Sequence, residues 1–138
     1  MAEIFFIAPY DPKDWEKRDA GEVPRVFVVD IEKFSVQLKT RWPNAEIRYL
    51  PTDAKVLIDW SLLPADNANG LNGSLFSDYE TLTIETGVEH DLVEFILWYR
   101  QFIPYEHNLY LFRSSSFERL ELILNSSDVE VRKFALKR

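Results

Sequence analysis

Both histidines of the chain fall within one stretch, "GVEHDLVEFILWYRQFIPYEHNLYLF", residues 87–112, among acids, aromatics and an arginine. His90 and Glu94 are four residues apart, the helical spacing at which two side chains can share a metal ion or form an exposed ion pair. His107 follows Pro104 in "PYEHN", beside Tyr105 and Glu106. A neutral imidazole there could take a proton near neutral pH. A third set, Asp11, Asp14 and Glu16 around Trp15, offers carboxylates that could flank a substrate or a basic partner.

Each set has a plainer reading. No second histidine neighbours the His90–Glu94 pair on its helix, so a solvated ion pair accounts for it. "SSS" at 114–116 lacks the glycine-flanked elbow of a hydrolase serine, and nothing else near His107 supplies a nucleophile. The acids at 11–16 share their run with Lys13, Lys17 and Arg18, which neutralise them locally. Asp66 to Asn72 suggests a calcium loop, but the twelfth position counted from Asp66 is Ser77, where an EF-hand needs Glu. Asp59 interrupts an apolar strand, and Arg100 or Arg48 could pair with it as a structural ion pair. The sequence carries no phosphate-binding loop, dinucleotide fingerprint or zinc-protease motif. It predicts no catalytic residue, no metal and no cofactor.

The elements that position these groups follow from periodicity. "IFFIAP" is a first strand, Ile4 and Phe6 facing one way and Phe5 and Ile7 the other, apolar on both sides. Residues 9–24 are a proline-rich, mixed-charge loop without a period. Phe27, Ile31, Phe34, Leu38 and Trp42 or Arg41 form the stripe of a first helix over about 29–42, capped by Asp30 and ended by Pro43. Strands "AEIRYL" and "KVLIDWSLLP" follow. In the second, Val56, Ile58, Trp60 and Leu62 point one way and Leu57, Asp59, Ser61 and Leu63 the other, a mixed face that meets water or a loop. Asn69-Gly70 and Asn72-Gly73 read as hairpin turns before strands "SLF" and "TLTIET".

A second helix runs from near Val88 to before Pro104, with a capping-box spacing at Thr86 and Glu89. Its wheel places Val88, Leu92, Phe95, Ile96, Tyr99, Phe102 and Ile103 inward and His90, Glu94 and Gln101 outward. Strands "NLYLF" and "FERLELIL" and a short C-terminal helix from Asp128 complete the chain. The fold class expected is α+β over 1–138: one domain with a mainly antiparallel sheet, two main helices packed on it and a short C-terminal helix. Phe34, Leu38, Leu92, Ile96, Tyr99 and Ile103 are expected to pack on strands carrying Phe6, Ile58, Trp60 and Leu122.

Composition narrows the function classes. With 23 acidic against 16 basic residues the net charge is −7, which disfavours nucleic acid as a partner and would steer a basic protein inward. The chain has no cysteine, and its start carries no basic region ahead of an apolar run, so a cytoplasmic, non-membrane setting is expected.

The order "RWPNAEI", a strand hairpin, "FILWYRQFIP" and "NLYLFRSSSFERLELILNSSDVEV" resembles the layout of small bacterial immunity proteins of polymorphic toxin systems. The likeness is one of pattern and spans about residues 41–131; it departs at Arg113, where such proteins often carry an acid after the strand. It brings over no functional residue. It implies a stoichiometric inhibitor that blocks another protein's site; separately, the length and charge of the long loop make Asp11, Asp14, Trp15 and Glu16 the binding candidates. The competing expectation is a small enzyme or ligand-binding domain using His107 and Tyr105.

Overall fold

Alternating apolar residues in seven short segments, with apolar stripes in three helical ones, build two layers. The computed structural model describes residues 4–11, 13, 28–51, 55–62, 71–76, 80–85, 89–104, 106–113, 118–123 and 128–135, apart from the side chains of 89–91. The strands are β1 (Ile4–Ala8), β2 (Glu46–Tyr49), β3 (Val56–Ser61), β4 (Asn72–Phe76), β5 (Leu82–Glu85), β6 (Leu109–Arg113) and β7 (Arg119–Leu122). The helices are α1 (Ile31–Arg41), α2 (Glu89–Phe102) and α3 (Asp128–Ala135). All strand pairs are antiparallel, in the order β2-β3-β4-β5-β1-β6-β7. The fold is α+β, with one antiparallel sheet and the helices against one of its faces.

Helix α1 begins where expected: the Asp30 carboxylate accepts from the Lys33 amide at 3.1 Å, satisfying one of the otherwise unpaired first-turn donors. Phe34 and Leu38 are buried, and Ile31 and Trp42 pack beside them. Along α2, Leu92, Val93, Phe95, Ile96, Tyr99 and Ile103 are buried. They meet Phe5, Ile7, Ile58, Trp60, Leu75, Leu82, Ile84, Leu111 and Leu122 in one core to which α3 adds Val131 and Ala135. Trp60 stacks on Phe95 with ring centroids 4.4 Å apart and planes 12° apart. The ring lies against Gly73, its register partner on β4, where an added Cβ would come within 2.6 Å of the indole.

Three expectations are corrected. Phe5 and Ile7, not Phe6, face the helices; Phe6 instead stacks on Phe112 at 5.3 Å on the other face. Alternation sorts residues into two sets, but where both sets are apolar it does not say which set the helices cover. Asn72-Gly73 lies inside β4 rather than in a turn, and Gly73 serves close packing under Trp60. Leu57 packs against the helix-side core instead of sharing the face of Asp59, because the β3–β4 register shifts between Val56 and Ile58. Of the two arginines that could pair with Asp59, Arg48 does so, which leaves Arg100 for another role. Arg100 is buried near the C-terminal end of α2, where its guanidinium donates to the carbonyls of Ile103, Pro104, His107 and Leu122 at 3.0–3.2 Å. A helix end leaves carbonyls without amide partners, and an arginine in the last turn can reach them. Burial lowers the Arg100 pKa because the charged form loses its water.

The candidate site on the open sheet face

The helix-free face of β2–β5 is polar because the residues opposite the core set, Glu46, Arg48, Asp59, Ser61, Asn72, Ser74, Thr83 and Glu85, are charged, hydroxylated or amides, with Phe76 at the end of β4 the exception. Register brings Arg48 beside Asp59, Asp59 beside Ser74, and Ser74 beside Thr83. The Asp59 carboxylate accepts from the Arg48 guanidinium at 2.6 Å and from the Ser74 hydroxyl at 2.9 Å, and the Thr83 hydroxyl accepts from the Ser74 amide at 3.0 Å. Asp59 therefore has the structural partner its place in the strand demanded, and that partner is Arg48.

Around this network is a cleft of about 410 Å³, lined on its polar side by Glu46, Arg48, Asp59, Ser61, Ser74 and Glu85. Three carboxylates against one guanidinium make it acidic. The carboxylates are spread over β2, β3 and β5, and among the described residues no group of three or more His, Cys, Asp or Glu could hold a metal ion. The same face turns aromatic toward β1 and β6, where Phe76, Phe6, Phe112 and Tyr10 follow one another with centroid separations of 5.3–6.4 Å. The Tyr10 and Thr81 hydroxyls are hydrogen-bonded at 3.0 Å.

The residues singled out in the sequence are dispersed. Asp11 is nearly buried on the open face: one carboxylate oxygen accepts from the Lys13 amide at 3.0 Å, and the other meets the Arg119 guanidinium of β7 at 2.7 Å. Asp14, Trp15 and Glu16 lie outside the described residues, as do Tyr105 and the His90 side chain. His107 is half-buried in the turn after α2; its amide donates to the Pro104 carbonyl at 3.1 Å, its own carbonyl accepts from Arg100, and it does not line the cleft. Glu94 forms an ion pair with Arg41 of α1.

The cleft itself was missed in the sequence. The signal that could have found it is the set Glu46, Arg48, Asp59, Ser61, Ser74 and Glu85, each one step out of phase with a core residue, but their convergence depends on strand order. Among the described residues, no helix is long and apolar enough to cross a membrane. Comparison with protein-family models, characterised proteins and solved structures found no match to this chain.

Proposed function

We propose that this chain is a non-enzymatic protein-binding module, an immunity-type inhibitor in its manner of action, that receives a basic partner on the open face of its sheet. The observation that carries this reading is the acidic cleft over β2–β5, a concave surface with three carboxylates and one guanidinium on a chain of net charge −7. A lysine or arginine side chain entering it would find acceptors in Glu46 and Glu85, with Asp59 already held in place by Arg48 and Ser74. Asp11 is held by Arg119 of β7, at the other end of the sheet from the cleft, and it remains, with Asp14, Trp15 and Glu16, a second set of binding candidates.

The test is capture of a basic protein from the lysate of the parent cell at stoichiometric amounts, followed by association kinetics at several salt concentrations. Association should slow as salt rises, because screening shortens the reach of the steering field. Reversing Glu85, or Asp14 and Glu16, to Lys should mainly lower the association rate, and Trp15→Ala should mainly raise the dissociation rate. A captured partner whose association ignores both salt and these reversals sinks the proposal. A small molecule retained beside His107, with no protein captured, favours the ligand-binding alternative.

A further inference from the structure

Strand β2 ends the sheet, and among the described residues nothing pairs with its outer side. The Leu50 amide donates to the Leu57 carbonyl at 3.0 Å, which sets the antiparallel alternation on this strand. Arg48 and Glu46 then turn their backbone groups toward Asp59 and Ser61, and the amides and carbonyls of Ile47 and Tyr49 point outward, away from the sheet. Tyr49 is 62% exposed, and the Arg48 side chain is 75% exposed although bonded to Asp59. An edge of this kind is a template for another strand.

The side chains say which strand fits. An antiparallel partner must place a base opposite Glu46, an apolar residue opposite Ile47 and an acid opposite Arg48. Read along the incoming strand, that order is acid, apolar, base, and Glu46-Ile47-Arg48 has it. We propose that the β2 edge pairs with the β2 edge of a second copy of this chain, antiparallel about a two-fold axis at Ile47, so that Glu46 of each copy lies opposite Arg48 of the other.

The outward groups of the two Ile47 residues then exchange both backbone hydrogen bonds. Arg48 sits between Asp59 of its own chain and Glu46 of the other copy, so each guanidinium serves two carboxylates. Other registers are worse. Centring on Arg48 sets two guanidiniums face to face, and centring on Tyr49 brings up Pro51, which has no amide to donate. Glu46 makes no ion pair among the described residues, so the second copy supplies the partner it lacks. This inference shares Glu46 and Arg48 with the cleft but rests on the outward backbone groups of β2, so self-association with concentration and capture of a basic protein fail independently.

The experiment is sedimentation velocity on the full chain from about 10 µM to about 1 mM, the range in which a small interface becomes populated. The wild type should move from monomer to dimer. E46R and R48E each convert both cross-strand pairs to like charges and should weaken the dimer about tenfold or more. An equimolar mixture of the two variants should regain a dimer, because the two altered edges complement each other. Amide exchange at Ile47 should slow as concentration rises, while that at Arg48, already paired within the sheet, should not. If R48E fails to fold, E46R and the exchange measurement carry the test alone. A wild type that remains monomeric throughout overturns the proposal; so does a dimer indifferent to E46R, or folded variants whose mixture stays monomeric.

Discussion

The two faces of the sheet are built from the same strands and obey different rules. On the helix side, Phe5, Ile7, Ile58, Trp60, Leu75 and Leu122 are essentially closed to solvent against Phe34, Phe95, Ile96 and Tyr99. Two guanidiniums reach that side near its ends. Arg100 is bound to four carbonyls, and Arg113 donates to the Phe134 carbonyl and lies over the rings of Phe5 and Phe134. On the open side, charge is held by other charge and by hydroxyls near water, in the Arg48–Asp59–Ser74 network. The difference teaches where each property resides: the covered face sets stability, and the polar stretch over β2–β5 can change its residues with little effect on folding, whereas Ala8, Tyr10 and Phe112 farther along the same side are buried.

Substitutions that break this contrast should rank by face. Ile96→Ala, in the fully closed core, should cost about 2–5 kcal/mol in urea unfolding, the range for deleting a large core side chain. A loss within about 0.5 kcal/mol would show that α2 does not bury this face. Next comes Arg100→Met, which keeps the bulk of the side chain but strands carbonyls at the end of α2. Roughly 1–3 kcal/mol should be lost, with faster amide exchange near 103–107 as the local signature. No loss would mean that water satisfies those carbonyls.

On the open face, Asp59→Asn should lower stability by about 1 kcal/mol or less, since its ion pair with Arg48 is well exposed to solvent. A loss as large as that of Ile96→Ala would erase the distinction between the faces. The smallest effects belong to Glu85→Lys and His90→Gln, each expected within about 0.5 kcal/mol of wild type by thermal unfolding. For His90→Gln the outcome that sharpens the picture is metal binding: tight stoichiometric zinc lost in this variant would overturn the solvated-pair reading of His90 and Glu94.

Much of the architecture was legible because it is local. Asp30 caps α1, and Pro43 follows the end of the helix at Arg41. The stripe of Leu92, Phe95, Ile96, Tyr99 and Ile103 is closed as the helical period required. The alternation of Ile58, Asp59 and Trp60 put the carboxylate on the wetter face, and its partner came from the pair of arginines named for it. Periodicity and capping act over one or two turns or strands, so sequence alone suffices for them.

What the sequence left open depends on groups distant along the chain. Strand order put β1 between β5 and β6 and laid Phe5 and Ile7 under the helices, a choice that apolar residues on both sides of β1 could not make. Burial of Arg100 required the carbonyls of the following turn and of β7 to converge on one guanidinium. The acidic cleft exists only because four strands bring residues from 46 to 85 side by side. Local spacing determined which residues share a face; the tertiary fold decided what each face meets, because burial and charge pairing are set by neighbours that the chain reaches only after it has folded.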